Sequence, residues 1–365
     1  MHQVELSYLL LPQRSADALI RNPLMDMLHA VREQGSIGKA SKSLGLSYRH
    51  VWGALKGWEL RLGRELIVWD KGRRAKLTGF GDKLLWAERQ AQARLAPQIE
   101  ALRGDIERAF ASAFDDSAQM LTLYASHDAA LTALREHTTK CGLQLDIRFM
   151  GSVDAIAALN AGRCTLAGFH TLDQPGRQTI AAKTYRSMLK PGLHKLIGFA
   201  HRTQGLIVAR HNPLRLRMLA DLTRANVRYV NRAVGTGTRV LFDELLAQAG
   251  IATTAIEGYD SLEPSHSAVA QAVASGAADA GLGIEAAARA RGLGFVALTQ
   301  ERYHLVCLKS ELDTPPVKAL RQTLQSPAWQ HLLGELPGYQ AGQAKSGEVL
   351  SLRALLPWWR YRTPA

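Results

Sequence analysis

From about residue 119 onward, this chain repeats one pattern: a short β-type run, a turn of small residues, then a helix-type run. Leu121-Thr-Leu-Tyr124 leads into Ala125-Ser126-His127-Asp128, which opens a helix. Residues 145–150 end at Gly151-Ser152 and a helix over 153–161. Residues 227–230 lead into Asn231-Arg-Ala-Val-Gly235-Thr-Gly-Thr-Arg239 and a helix through Leu246, and 278–282 read as a further strand. Such alternation predicts an α/β architecture with a largely parallel sheet.

Three of these junctions set Ser or Thr beside Gly. At a helix start the free N–H groups and the positive dipole end attract an anion, hydroxyls donate, and Gly permits close approach. Ser126, Ser152, Thr236, Gly237 and Thr238 are therefore candidate ligand residues, and Arg239 can add a forked charge. Each junction alone is also what ordinary helix capping looks like. The Gly235-Thr-Gly-Thr run is neither a phosphate-binding P-loop nor a dinucleotide fingerprint. His170, His194, His201 and His266 share no ligand spacing, so neither metal nor cofactor is expected. Paired carboxylates and Cys–His arrangements are missing, and adjacent Ser126 and His127 make a poor dyad, so the chain does not read as an enzyme.

The first 80 residues read differently. Leu24, Leu28 and Val31 share a helical face, Gly35 ends that helix, and Ser36 can cap a second one carrying Ile37, Ala40 and Leu44. Gly45 supplies a turn, and Ser47 caps a third helix with Val51, Leu55, Trp58 and Leu62 inward. Two short helices around a Gly turn form a helix-turn-helix, with the second member destined for the major groove. Its exposed start offers Ser47, Tyr48, Arg49 and His50, joined by Ser36, Lys39, Trp52 and Lys56. Residues 66–69 and 77–78 read as a β-wing whose tip carries Lys71, Arg73, Arg74 and Lys76. Residues 39–76 hold 10 basic and 3 acidic residues, a concentration suited to phosphates. The plainer alternative is a small helical domain with a solvated basic loop.

The stretch Gly35-Ser-Ile-Gly-Lys-Ala40, then Gly45-Leu-Ser-Tyr48, Trp52 and Leu77-Thr-Gly79 with Gly81, resembles the DNA-binding domain of ModE-type molybdate-responsive regulators, a fold related to the LysR-type winged helix. The resemblance spans about residues 20–90. It implies operator binding through Ser47, Tyr48, Arg49, Trp52 and the wing. Trp52 is equally placed for core packing.

Between these regions, residues 81–115 predict one long helix with Pro97 as a kink or restart. Leu95, Ile99, Leu102, Ile106 and Phe110 make a narrow apolar stripe that needs a partner. It reads as a dimerisation surface, with packing on the chain's own wing domain as the alternative. Cys141, Cys164 and Cys307 are scattered, which fits a reducing cytoplasm rather than a disulfide framework. The apolar run 6–11 lacks the features of a signal peptide, and no membrane span is expected.

The later motifs also form a set. Residues 151–163 lead to Leu166-Ala-Gly-Phe-His170; then follow Asn231-Arg232, residues 235–239, Ser265-His-Ser-Ala-Val-Ala270 and residues 278–285. Together they resemble periplasmic-binding-protein-like sensor domains of molybdate-type regulators and molybdopterin-synthesis proteins, and are similar to type 2 oxyanion-binding proteins. The resemblance implies two lobes, crossed by the chain near residues 200 and 284, closing on a ligand. Ser126 and Ser152 would serve from one lobe and Thr236, Gly237, Thr238 and Arg239 from the other, with His127, His170 and Tyr303 nearby. Arg239 can instead pair with Asp243 four residues on. Residues 177–239 carry 13 Lys and Arg against one acid, Asp221, so a positive field around the cleft and a plain basic surface both stay open.

The expected architecture is thus a winged helix-turn-helix domain over 1–80, a linker or dimerisation helix over 81–115, and a two-lobed α/β domain over 116–365. Lobe I is expected at about 119–200 and 284–365, and lobe II at about 201–283. The expected function is a cytoplasmic, dimeric or tetrameric regulator that binds double-stranded operator DNA and senses a small oxyanion. Molybdate or tungstate comes first; formate, sulfate or a molybdopterin-related compound follows. An oxyanion-binding or storage protein is the alternative of another class.

Overall fold

The computed structural model describes residues 22–68, 74–114, 119–173, 175–340 and 345–359. The chain forms two compact units that divide between Glu88 and Arg89.

In the first unit, α1 (Pro23–Gln34) begins where the Asn22 side chain accepts from the Leu24 amide at 3.0 Å, with Pro23 at the first helical position. It stops at Gly35, whose φ of 60° closes the helix in the left-handed region. α2 (Ile37–Ser43) and α3 (Tyr48–Leu62) follow, α3 being capped by Ser47 Oγ accepting from His50 N at 3.1 Å. Leu24, Leu28, Val31, Ile37, Ala40, Val51 and Leu55 form its core with Leu66 and Leu85. Trp58, expected inside, is instead exposed, its ring covered by the Arg61 guanidinium at 5.4 Å. The short strands β1 (Ile67–Val68) and β2 (Lys76–Leu77) pair antiparallel as a wing. Its start is held by Glu59, which is buried and accepts from the amides of Leu66 (2.8 Å) and Ile67 (3.2 Å).

The linker segment is one helix, α4 (Gly79–Phe114), with Pro97 inside it. It is not a separate body, because it crosses the boundary between the two units. Within the second unit Ala93, Pro97, Glu100 and Gly104 are buried, whereas Leu95 and Leu102 are 48% and 59% exposed.

The remaining elements are β3 (Gln119–Ala125), α5 (Ala129–Thr139), β4 (Leu143–Phe149), α6 (Ser152–Asn160), β5 (Leu166–Leu172), α7 (Ile180–Tyr185), β6 (His194–Val208), β7 (Tyr229–Arg232), α8 (Gly237–Ala249), β8 (Leu262–Glu263), α9 (His266–Ala274), β9 (Ala280–Ile284), α10 (Glu285–Arg289), β10 (Gly294–Leu308), α11 (Pro315–Gln325), α12 (Pro327–Glu335), β11 (Tyr339–Gln340), β12 (Val349–Leu350) and α13 (Leu352–Leu355). The main sheet runs β4-β3-β5-β10-β6-β9-β7-β8. Two parallel groups, β4-β3-β5 and β9-β7-β8, flank the long antiparallel pair β6 and β10, so the sheet is mixed rather than largely parallel.

These groups are the two lobes, and β6 and β10 run through both. Register shifts in β10 fall between Ala297 and Thr299 and between Tyr303 and His304, where the strands pass from one lobe to the other. The return crossing therefore lies near 299–303, not at 284. Residues 285–298 belong with lobe II, because Gly294 to Ala297 pair with Val208 to Gly205 and Ala287, Ala288 and Leu293 pack with Val269 and Val273.

Candidate functional site

Two surfaces carry the candidate chemistry. On the head, the start of α3 presents Ser47, Tyr48, Arg49 and His50 to solvent, with Lys39 of α2 exposed as well. Arg74 and Lys76 are exposed beside β2, while Lys71 and Arg73 lie outside the described residues. Ser36 is half-buried and precedes α2 without capping it through its side chain. Trp52 is half-buried against the core with the Lys56 ammonium 4.9 Å from its ring centre. That ammonium also meets Glu59 Oε2 at 2.6 Å, so Lys56 is committed within the head rather than presented freely. Burial pushes the Glu59 carboxyl up, but the bonds from Lys56, Leu66 and Ile67 outweigh it and hold the group below its ordinary value.

The second surface lies between the lobes. α8 begins against lobe I: a Cβ at Gly237 would stand 2.3 Å from His170 Cδ2 and 3.0 Å from Ser152 Oγ, so only glycine fits. Val153 N donates to Gly235 O at 3.3 Å, joining the two loops. Ser126 and Ser152 are buried, and neither hydroxyl has a well-formed hydrogen bond among the described residues. His170 packs on Tyr303 with ring centres 4.0 Å apart, and Arg202 Nη2 approaches its Nδ1 at 3.2 Å. A guanidinium can only donate, so Nδ1 accepts and the proton sits on Nε2, which is buried and unpartnered among the described residues. Burial, then the charges of Arg202, His304 and Arg232, hold His170 well below the usual histidine range, so it is neutral.

Arg202 is buried and bonds Asp128 and Glu301, while Tyr339 donates to Asp128 at 2.7 Å and Gln204 to Glu301 at 2.9 Å. Arg232 is different. Its Nη2 reaches Pro264 O at 3.0 Å, but Nε and Nη1 are buried without a partner among the described residues. Burial, then repulsion from Arg202, pushes the guanidinium down to about 9. It remains a cation at neutral pH, and a buried cation with idle donors costs several kcal/mol unless an anion meets it. With His170 and His266 neutral, Asp128 and Glu301 balance Arg202 and Arg232 in formal charge. An anion here would be held by directed donors rather than by excess charge.

The sequence-derived ligand set divides accordingly. Ser152, His170 and Gly237 come together, while Ser126 lies behind Tyr303, which packs on His170 and donates its hydroxyl to Ser126 O at 3.4 Å. Thr236 is occupied as the cap of α8, donating to Ala233 O at 2.7 Å, and Thr238 faces His266 Nε2 at 3.4 Å. His127 bonds Glu100 of α4 at 3.0 Å instead of turning inward. Arg239 does not serve the cleft: its Nε bonds both Asp243 oxygens at 3.0 and 3.1 Å, and its guanidinium lies over Tyr259. The guanidiniums at the site are Arg202 and Arg232. Arg232 could have been found from sequence as a charge closing the strand run Tyr-Val-Asn-Arg, where a solvated residue has no place. Among the described residues no group of three or more His, Cys, Asp or Glu could hold a metal, and no helix is long and apolar enough to cross a membrane.

Residues 133–325 match the family model described as the PBP superfamily domain, more than half of the chain. The chain belongs to the PBP superfamily. In this PBP-superfamily chain, residues 24–82 match the model of the bacterial regulatory helix-turn-helix protein, lysR family, so it is a transcription regulator with a LysR-type head and a ligand-binding PBP-like domain. It is 31% identical over 219 residues to the "Uncharacterized protein YvgK" of Bacillus subtilis (strain 168), covering 60% of this chain and 70% of that relative. It is 34% identical over 113 residues to an "Uncharacterized protein in ferredoxin 2Fe-2S gene 5'region" of Clostridium pasteurianum, covering 31% of this chain and 98% of the relative. Among solved structures it is similar to a cysteine-to-serine mutant of Corynebacterium glutamicum OxyR, with 19% identity, TM-score 0.43, and 83% and 92% of the two chains covered.

Proposed function

We propose that this regulator binds operator DNA through the start of α3 and the wing, and that a compact oxyanion in the interlobe cleft controls it. One observation carries the sensing reading: Ser152 and His170 lie against the start of α8 with a buried hydroxyl and Nε2–H unpartnered among the described residues, and buried Arg232, whose charge acts on His170, keeps two donors idle. The motif resemblance to molybdate-type sensors supports molybdate or tungstate as first ligands. Formate, sulfate or a molybdopterin-related compound stand behind them. The exposed stripe of Leu95 and Leu102, continued by half-buried Ile99, Ile106 and Phe110, supports a dimer or tetramer built on α4, as two-fold operators require. The protein would act in the cytoplasm.

A thermal-shift panel of sodium molybdate, tungstate, sulfate and formate on the full chain tests the ligand. Molybdate or tungstate should raise the melting temperature most, and Ser152→Ala should reduce the rise. No shift with any of the four would overturn the reading. Arg49→Ala should weaken operator binding while leaving the anion response intact. Comparing salt dependence on matched and scrambled duplexes separates a regulator from a storage protein with a basic head.

A further inference from the structure

We infer that the second half of α4 is a strap across the anion cleft, fastened to both lobes beside the ligand residues, so that Arg94, Pro97 and Glu100 are positioning residues for ligand binding. This rests on the anion reading of the cleft.

The fastening to lobe I is Glu100. It is 4% exposed, its Oε1 accepts from Arg135 Nη2 at 2.8 Å, and its Oε2 meets His127 Nε2 at 3.0 Å. His127 follows Ser126 directly. The fastening to lobe II is a fork from Arg94 to buried Glu263, at 3.0 Å from Nε to Oε2 and 2.7 Å from Nη2 to Oε1. Glu263 is the register partner of Arg232, and Pro264, next in the chain, accepts from Arg232.

Pro97 explains a third contact. In a regular helix the amide of residue 97 would donate to the carbonyl of Ala93, but proline has no N–H. That carbonyl instead accepts from Ser265 Oγ at 3.3 Å. Ser265 caps α9 and precedes His266, which faces Thr238. The missing amide thus leaves an acceptor on α4 that lobe II takes up.

Ala93 and Glu100 are seven residues apart, about 10 Å along a helix. A stiff rod of that length tied to two lobes cannot follow them apart, so opening the cleft must break one set of ties. The strap therefore favours closure and strengthens anion binding. By reciprocity, the anion holds the strap in place. Because α4 is the same helix that starts at Gly79 after the wing, ligand occupancy is read by the element leading to the DNA-binding head.

Hydrogen exchange on the full chain, with and without sodium molybdate, phosphate or sulfate, tests this in wild type, E100Q, P97A and R94Q. Arg94 is half exposed, so R94Q keeps a folded variant in the set. In wild type, an anion should slow exchange both at residues 126–128 and 152–154 and along 93–104. In each variant the loops should still respond, the helix should not, and the anion Kd should rise about tenfold. Loops that respond in wild type while 93–104 does not would overturn the strap and leave the anion site standing. If no anion protects the loops, the anion reading falls. The strap is then judged by R94Q and E100Q alone, which must speed exchange at 126–128 and 263–266; unchanged rates there would overturn it too.

Discussion

Replacing Arg232 with Met separates a ligand residue from a structural one. Among the described residues its guanidinium makes one hydrogen bond, to Pro264 O, and leaves Nε and Nη1 idle. Methionine keeps most of the volume and removes a buried cation with idle donors, at the cost of the Pro264 bond and of its attraction to Glu301. The anion, however, loses two charge-assisted bonds, each worth about 1.5–3 kcal/mol. Their joint loss, about 3–6 kcal/mol, weakens binding by a factor of about 150 or more. At an anion concentration of about 100 Kd, wild type gains about 2.7 kcal/mol, which is a rise of about 5–11 °C for a domain of this size. At the same concentration the variant should gain under about 0.3 kcal/mol, a shift of about 1 °C or less. The assay is differential scanning fluorimetry of both proteins with and without sodium molybdate, then calorimetric titration. A variant that still shows the full anion shift would refute a ligand role for Arg232. A variant that loses several kcal/mol without any anion would show the guanidinium to be part of the folded core.

Three further outcomes follow from the same structure. Glu59→Ala strands the buried amides of Leu66 and Ile67 and should lower the stability of the head by about 2–5 kcal/mol, read as an earlier first transition in calorimetry. His170, His266 and His304 are held neutral by burial first and by nearby guanidinium or imidazole charge second, His304 down to about 3. Their folded values lie below the unfolded one, so stability is complete above about pH 6.5 and falls as the unfolded chain takes up protons. Between pH 7 and 5 stability should therefore fall, His304 alone costing about 2 kcal/mol, and a flat urea-denaturation profile over that range would contradict their burial. Leu102→Glu should convert the oligomer to monomer in sedimentation velocity, and a wild type that is already monomeric would remove the stripe from the interface.

What could be read from sequence was mostly local. Ser47 and Gly35 act on residues within one turn of themselves, and their roles follow from capping and backbone sterics alone. The strand-end turns at Ser126, Ser152 and Gly237 were visible for the same reason. The pairing of Arg239 with Asp243 was open as an i, i+4 alternative, and the helix geometry decides for it. Arg202 and Arg232 were not legible as a pair, because sheet pairing across a hundred residues of sequence brings Arg202 to Glu301 and leaves Arg232 beside them. The same long-range pairing turned the centre of the sheet antiparallel and moved the return crossing from 284 to about 301. Trp58 shows the limit of periodicity, since a helix can carry an apolar side chain onto a face where nothing packs.

The two long central strands have a consequence for how the sensor unit can change. Because β6 and β10 pair along almost their whole length and serve both lobes, neither lobe owns a complete set of strands. Cutting the chain between them would strip each half of its inner wall and bare a row of unsatisfied amides. The pair should therefore melt in one step, and a lobe could not be exchanged between relatives as a cassette. Specificity in such a protein has to drift residue by residue at the strand ends, while the frame is inherited whole.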